Sequence, residues 1–389
     1  MDSEDIYFEI RPFGDDEVGE VLSRLFKDRE FLDTFGKYKL GNIFRISPTF
    51  WSLILRYAIS RQFREVTNVA KMQAIIRDYM DKMIQSTMSE LNVSGLEELP
   101  RDKPYLFISN HRDIAMDPAF LNYVLHRDTR DTARIAIGDN LLSKSWVSDI
   151  MRLNKSFIVK RSLGGPRELI AAMRMLSNYI KHSILIDKSP VWLAQREGRA
   201  KDGIDKTEPA IIKMLDLCRN KKDQIFSEHI SKLSIVPVSI SYELDPCEDL
   251  KAKELYEIDR VGSYDKAVNE DVMSIGRGIA GQKGKVSIAF GKPIDSSLSD
   301  PIEVSQEIDR QIIEMYQLFP NNLVAHQIAY PNEKLPSHPL TTFSVSEYDR
   351  RSFCQRIDKL PFKHQKFAYQ IYANPVRSRL QHIKNLTIQ

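Results

Sequence analysis

The sequence predicts an α/β fold, in which a mostly parallel sheet is flanked by helices, with a helical N-terminal lead-in and a helical C-terminal extension. Between residues 104 and 320, short apolar runs alternate with stretches of helical periodicity, which is typical of parallel strands joined by helices. A hydrophobic content of 42% supports a globular chain. Cys218, Cys247 and Cys354 are widely spaced, which favours a reducing compartment over a disulfide framework.

The predicted strands and helices follow one another along the middle of the chain. Six apolar runs are predicted as strands, over 105–108, 135–137, 157–159, 191–194, 235–240 and 286–290. Helices are predicted over 166–182 and 208–219, each with a proline near its start, and over 303–319. The polar residues 245–284 are predicted as an insertion with one helix at 249–256.

Three regions follow from this pattern: a helical N-terminal region (1–99), an α/β domain (100–320) that contains the insertion, and a basic C-terminal extension (321–389). In the first region, an apolar stripe over 63–84 predicts a helix. The aromatic, arginine-flanked segment 50–59 has the composition of an interfacial helix, and a buried core helix is an equal alternative. Prolines 331, 336, 339, 361 and 375 predict short helices in the extension.

The formal net charge of +3 is unevenly distributed. Residues 351–384 carry eight Lys or Arg against Asp358 alone, so this tail has a charge of +7 and the remainder −4. Such a tail contacts anionic lipid or nucleic acid, or is simply solvated. No apolar run approaches the ~20 residues that span a bilayer, and the acidic start is unlike a secretory signal. We therefore expect a cytoplasmic protein with peripheral membrane contact at most.

The stretch SNHRDIAMDP at residues 109–118 is the strongest candidate for chemistry. It follows a predicted buried strand directly, a position where active sites are common in α/β folds. Asp117 is a good N-cap, and Pro118 a good first residue, for the helix that follows. His111 then lies in the bend between strand and helix. Neither Asp113 nor Asp117 has the spacing to share a helical face with His111, so the bend must bring them together.

These residues carry a resemblance to a known family. Asn110-His111 followed by Asp117-Pro118 resembles the first motif of the glycerolipid acyltransferases, which include glycerol-3-phosphate and lysophosphatidic acid acyltransferases. The family has four residues between its His and Asp, whereas this chain has five. Three later stretches resemble further family motifs in the expected order: FIVKRS at 157–162, AQREGR at 194–199 and IVPVS at 235–239.

The resemblance implies acyl transfer from acyl-CoA or acyl carrier protein to a hydroxyl of glycerol 3-phosphate or lysophosphatidic acid, in phospholipid biosynthesis. His111 would be the general base, since histidine titrates near neutrality and a carboxylate on its other nitrogen fixes the tautomer. Asp117 matches the family pattern, and Asp113 is the alternative partner. No covalent intermediate, cofactor or metal is expected. The expected partners are the two substrates and the inner face of an anionic membrane, without nucleic acid.

An acceptor phosphate requires cations in fixed positions, for which Lys160, Arg161, Arg199 and Lys201 are the candidates. Glu197 and Gly198 correspond to a family Glu-Gly pair that usually continues Thr-Arg, whereas this chain continues Arg-Ala-Lys. Asn110 and Arg112 complete the predicted substrate-binding set. The departures from the family motifs also support an alternative function, a catalytically idle lipid-binding or membrane-associated protein on the same fold.

Overall fold

The structure is a computed structural model that describes residues 5–142, 144–161, 163–267, 269–333 and 345–388. The chain divides into two compact units. The first comprises residues 1–81 and 134–179, and the second comprises residues 82–133 and 180–389. The three regions expected from the sequence stay a prediction of domain boundaries.

The described elements are numbered in chain order. The strands are β1 (Met88–Ser94), β2 (Leu106–Ser109), β3 (Arg134–Gly138), β4 (Ser156–Val159), β5 (Val191–Ala194), β6 (Ile235–Tyr242) and β7 (Gly284–Phe290). The helices are α1 (Val18–Leu25), α2 (Arg29–Leu40), α3 (Asn42–Ile46), α4 (Pro48–Gln62), α5 (Val69–Thr87), α6 (Met116–Arg127), α7 (Ser145–Leu153), α8 (Pro166–Leu185), α9 (Pro209–Leu215), α10 (Phe226–Lys232), α11 (Glu248–Val261), α12 (Glu270–Ala280), α13 (Pro301–Met315), α14 (Pro320–Ala329), α15 (Glu347–Ile357) and α16 (Phe362–Ile388).

The first unit combines helices with one pair of parallel strands. β3 pairs with β4 in a register that places Ile135 opposite Ser156. Helices α1 to α4 contribute side chains to one apolar core, in which Val18 and Phe44 are among the most deeply buried. The apolar stripe predicted as a helix forms α5, and its Val69 joins the same core.

The second unit is built on strands in the order β1-β7-β6-β2-β5. Every pairing described within this unit is parallel except that of β6 with β7. All residues of β2 and β6 are buried, as expected for strands covered by helices on both faces. The predicted fold class, a mostly parallel sheet flanked by helices, is confirmed.

The carboxyl ends of three parallel strands meet at one edge of this sheet. β2 ends at Ser109, β5 at Ala194 and β6 at Tyr242, and β2 pairs directly with both of the others. His111 follows the first of these strands, and the stretch 195–201 follows the second. The sheet therefore gathers the principal motifs of the sequence at the edge where α/β proteins commonly bind ligands.

The six predicted strands are all present, each within two residues of its predicted bounds. β1 was not predicted, because its residues are mostly exposed and lack the apolar alternation that marks a strand. The helix predicted over 208–219 ends earlier, at Leu215, and continues as a short 3-10 turn. The predicted insertion contains two helices, α11 and α12, where one was expected.

The basic C-terminal extension is folded into the second unit. It forms α15 and the 27-residue α16, which is much longer than the predicted short helices although Pro375 lies within it. Phe353 and Tyr372 are buried in a core cluster with Val324 of α14. Arg379 is also buried, and it donates to backbone carbonyls of α13 and the residue after it. Pro336 and Pro339 lie outside the described residues.

Segment 50–59 lies in α4 and combines the two alternatives predicted for it. Leu55 and Ile59 are buried in the core of the first unit, whereas Phe50, Leu53 and Tyr57 are exposed. Across the described part of the chain, every helix is too short or too polar to cross a membrane.

Candidate active site

His111 lies in the loop between β2 and α6, and its ring is hydrogen bonded to Asp117. The distance from Nδ1 to Oδ2 is 2.8 Å, Asp117 is fully buried, and the His111 side chain retains 14% of its exposure. The same Oδ2 accepts the backbone N–H groups of Arg112 at 2.6 Å and Asp113 at 2.9 Å. An oxygen that already accepts two N–H groups is an acceptor, so Nδ1 donates and Nε2 carries the lone pair.

Tyr242, at the end of β6, was missed by the sequence analysis. Its hydroxyl donates to Oδ1 of Asp117 at 2.7 Å. Burial, followed by the charge of Asp117, holds the pKa of Tyr242 well above its usual value, so the hydroxyl keeps its proton. Asp117 therefore has four donors, which offset the cost of burying a carboxylate. The only sequence signal was the position of Tyr242 just beyond a predicted strand.

The carboxylate of Asp113 accepts hydrogen bonds at the start of α6, whereas that of Asp117 binds the His111 ring. Oδ1 of Asp113 accepts the backbone N–H groups of Ala115 at 3.0 Å and Met116 at 2.9 Å. The helix begins at Met116, so the prediction that Asp117 is its N-cap is wrong: Asp117 lies inside the first turn. Burial, and next the nearby Asp117 carboxylate, raise the pKa of Asp113. The two carboxylates of the bend therefore have different roles: Asp117 orients His111, and Asp113 stabilises the start of α6.

Asn110 and Arg112 hold the loop on either side of His111. The Asn110 amide donates to the carbonyl of Ile240 at 3.0 Å and accepts its N–H at 2.8 Å, which clamps the loop to β6. Arg112 forms a buried ion pair with Asp205 at 2.6 Å. Burial lowers the pKa of Arg112, but the combined effects of Asp205, Tyr316 and Asp245 outweigh burial and raise the pKa overall. These contacts favour a positioning role over the predicted contact with substrate.

The insertion supports the same loop from two helices. Lys251 of α11 is buried, donates to the carbonyl of Arg112 at 2.7 Å and forms an ion pair with Asp245. Gly278 of α12 packs so closely that a Cβ there would lie 2.2 Å from Oδ2 of Asp113. The predicted irregular insertion is therefore part of the scaffold around His111.

The Glu-Gly stretch lies beside His111. The N–H of Ala200 donates to the carbonyl of His111 at 2.8 Å, which brings the ends of β2 and β5 together. Gly198 has a φ of +71°, in the left-handed region that favours glycine. Glu197 is exposed, and its backbone N–H lies 3.5 Å from the Glu208 carboxylate.

Two of the four predicted phosphate-binding cations follow Gly198 in this stretch. The Arg199 side chain is largely buried, and its Nη2 lies 3.9 Å from Oδ1 of Asp271 on α12. Lys201 forms an ion pair with Glu254 on α11, and burial lowers its pKa. Both cations therefore lie near carboxylates of the insertion.

The other two predicted cations belong to the first unit. Lys160 and Arg161 follow β4; Lys160 forms an ion pair with Glu9, and the backbone N–H of Arg161 donates to Asp139 at 3.1 Å. Ser162, the last residue of that motif, lies outside the described residues. Within the described ranges, no three His, Cys, Asp or Glu side chains are grouped as a metal site would require.

Part of the chain matches a known protein family. Residues 90–241, which contain His111, Asp117 and the Glu-Gly stretch, match the Acyltransferase family. Dihydroxyacetone phosphate acyltransferase of Mus musculus is 23% identical over 248 residues, covering 62% of this chain and 35% of that protein. The same protein of Bos taurus is 21% identical over 295 residues, covering 76% and 38%. The chain thus spans little more than a third of these curated relatives.

A solved structure is also similar. It is the 1-acyl-sn-glycerophosphate (LPA) acyltransferase PlsC from Thermotoga maritima, at 16% identity and a TM-score of 0.39. The match covers 73% of this chain and 95% of that structure.

Proposed function

The chain belongs to the glycerolipid acyltransferase superfamily through residues 90–241, and from that premise we propose that it transfers an acyl group from a thioester to a hydroxyl of a glycerol phosphate acceptor. The observation that carries this proposal is the 2.8 Å hydrogen bond from Nδ1 of His111 to the buried Asp117. It leaves Nε2 with a lone pair on a side chain that is still partly accessible. A general base for a hydroxyl requires such a group.

The proposed reaction uses His111 as base and then as acid. Nε2 takes the acceptor's hydroxyl proton while the oxygen attacks the thioester carbonyl carbon, so a C–O bond forms and the carbonyl becomes an oxyanion. Collapse of this intermediate restores the carbonyl and breaks the C–S bond. The proton held by His111 passes to the departing thiolate, which leaves as a free thiol. Asp117 stabilises the imidazolium between the two steps, and no covalent acyl-enzyme forms.

The donor in this proposal is acyl-CoA or acyl carrier protein, and no further cofactor takes part. The acceptor is glycerol 3-phosphate, lysophosphatidic acid or, following the names of the relatives, dihydroxyacetone phosphate. All three carry a phosphate on a three-carbon unit. We assign Arg199 as the first cation for this phosphate, because the Ala200–His111 backbone hydrogen bond holds it next to the base. Lys201 is the second, and Lys160 and Arg161 stay predicted contributors.

The same proposal places the reaction at an anionic membrane surface. A lysophospholipid acceptor and a long-chain acyl product both partition into bilayers, because each buried CH₂ contributes ~0.8 kcal/mol. The protein must then meet its lipid substrate at the interface.

The test is an acyl-transfer assay with purified full-length protein. Two labelled donors are used, acyl-CoA and the acylated form of acyl carrier protein. Each is combined with glycerol 3-phosphate, lysophosphatidic acid or dihydroxyacetone phosphate, and labelled product is measured. We expect product with at least one pair of substrates. His111→Ala should lower turnover by ~10²-fold to 10⁴-fold while the protein stays folded, since general base catalysis has that size.

His126→Ala is the matched control, because it removes a histidine in the last turn of α6, at the opposite end of that helix from the His111 loop. It should leave turnover unchanged. Undiminished turnover in a folded His111→Ala variant would remove the proposed mechanism. Binding of lipid by the wild-type protein without product from any pair would instead establish the idle lipid-binding alternative.

A further inference from the structure

α4 in the first unit is apolar on two opposite faces, and only one of them is covered. Leu55 and Ile59 point into the core. Phe50, Leu53 and Tyr57 recur at intervals of three and four residues, so they share the other face. A helix on a protein surface normally has one apolar face, which packs on the core, so a second apolar face indicates a further apolar contact. The exposed face of α4 is therefore expected to contact an apolar surface outside the described residues.

The short helix α3, which directly precedes α4, also carries exposed apolar side chains. Leu53 retains 62% of its exposure and Tyr57 69%, and Ile54 beside them is also exposed. In α3, Ile43 is exposed and Ile46 retains 82%. These side chains, with Phe50, are defined here as the α3–α4 face. Several large apolar side chains exposed on neighbouring helices indicate an interaction site, because soluble proteins rarely leave such groups uncovered.

All charged residues within the stretch 41–64, which contains α3 and α4, are positive. Residues 41–64 contain four arginines, at 45, 56, 61 and 64, and neither Asp nor Glu. All four arginines are exposed, and within the described part of the chain none of them forms an ion pair. Arg61 falls on the same side of α4 as Phe50 and Tyr57, since it follows them by eleven and four residues. Apolar and aromatic side chains flanked by unpaired arginines match an anionic lipid surface.

We infer that the α3–α4 face docks the protein on an anionic bilayer, with its apolar side chains at the headgroup boundary and its arginines on lipid phosphates. This inference rests on the proposed function for the reason that the protein meets a membrane. The match of the face to anionic lipid rests on its own side chains. The inference assigns the contact to the first unit rather than to the basic tail.

Two other arrangements fit the structure less well. A symmetric contact with a second copy of the chain would press eight like-charged arginines together, which opposes association. In the tail, Arg356 and Arg377 form ion pairs and Arg379 is buried, so fewer cations are available for lipid than the sequence suggests.

The test measures sedimentation of the full-length protein with vesicles of phosphatidylcholine, alone or with about 30% phosphatidylserine. One variant combines Leu53→Ser with Tyr57→Ser, and a second combines Arg56→Gln with Arg61→Gln. Since all four side chains are exposed, both variants should keep the wild-type melting temperature. We expect each to weaken binding to the anionic vesicles about tenfold or more, and the wild-type protein to bind neutral vesicles weakly.

The matched control combines Phe362→Ser with Lys363→Gln in the tail, where Phe362 is even more exposed than Leu53 and Tyr57. It should bind as the wild-type protein does. Loss of binding in this control with none in the α4 variants would overturn the inference and make the tail the anchor. So would a wild-type protein that ignores anionic vesicles, or α4 variants that only convert a dimer to a monomer. Transfer of a short acyl chain to soluble glycerol 3-phosphate is assayed in parallel: its absence contradicts the proposed chemistry and leaves the vesicle result standing.

Discussion

At the scale of single residues, the candidate site is organised by the carboxylate of Asp117. It binds His111 through one oxygen and Tyr242 through the other, and two backbone N–H groups complete its set of donors. Each donor withdraws some negative charge from the side of the carboxylate that faces the imidazole. Tyr242 is therefore a positioning residue that also controls how strongly Asp117 stabilises a protonated His111.

Tyr242→Phe tests this role. Loss of the 2.7 Å hydrogen bond leaves more charge on Asp117, which stabilises the imidazolium more strongly. The acid limb of the pH profile of kcat/KM should then move to higher pH, by roughly half a pH unit to one unit. The other charged groups around this pair, Asp113, Asp245 and Lys251, are unchanged in the variant.

Tyr105→Phe provides the comparison for this experiment. It also removes a buried tyrosine hydroxyl from a hydrogen bond, here to the carbonyl of Pro100 at 3.1 Å, but it does not touch Asp117. Its pH profile should match that of the wild-type protein. If both variants lower activity without moving the acid limb, Tyr242 has only a structural role.

The sequence pointed to His111 and Asp117 because their motif is local, within seven residues of chain. It could not find Tyr242, which reaches Asp117 from 125 residues away through the pairing of β2 with β6. It favoured Asp117 over Asp113 only through the family motif, since a bend was compatible with both. In the structure Asp117 accepts a hydrogen bond from Nδ1 of His111, whereas Asp113 accepts backbone N–H groups at the start of α6.

At the scale of elements, the insertion helix α12 is packed against the loop through a glycine. Gly278→Ala would place a Cβ 2.2 Å from Oδ2 of Asp113, whose carboxylate is buried and fixed by two backbone N–H groups. The loop or the helix must therefore move. We expect the variant to lose about 1–3 kcal/mol in the free energy of unfolding, as overpacked sites do, and to lose turnover as well.

Gly276→Ala in the same helix is the control, because a Cβ there meets nothing within 4 Å. Alanine favours a helix over glycine by up to ~1 kcal/mol, so this variant should be as stable as the wild-type protein or more so. Denaturant unfolding and kcat measure both variants. Equal stability and turnover in the two would show that α12 does not brace the loop.

The elements most easily predicted were the buried parallel strands, because strands covered on both faces are continuous apolar runs. A strand and a helix boundary were not predicted correctly. β1 lies at the sheet edge with mostly exposed residues, so it carries little apolar signal. The start of α6 was placed two residues late, because Asp117-Pro118 is a common helix start, whereas Asp113 accepts the N–H of Met116 and the helix begins there.

At the scale of the whole molecule, the C-terminal extension is both strongly basic and extensively buried. Its basic residues are conspicuous in the sequence, whereas its buried apolar residues are not. Its eight basic residues suggested a surface that contacts anionic lipid or nucleic acid, or is simply solvated. The structure instead gives α15 and α16 a large share of an apolar core, with Phe353, Phe367, Ile371 and Tyr372 all buried. Truncation, the obvious test of a basic anchor, would therefore confuse loss of charge with loss of fold.

Removal of residues 346–389 should destabilise the second unit rather than only weaken lipid binding. Burial of a large apolar side chain contributes about 1.5–3 kcal/mol, so the four named above amount to roughly 6–12 kcal/mol, comparable with the whole stability of a typical domain. The truncated protein should aggregate or melt more than about 10 °C below the wild-type protein in calorimetry. A full-length variant with Lys359→Gln, Lys363→Gln and Lys366→Gln removes exposed charge alone and should melt within about 2 °C of it. A truncated protein that melts cooperatively at the wild-type temperature would mean that the extension is dispensable for folding, and the tail would again be a candidate anchor.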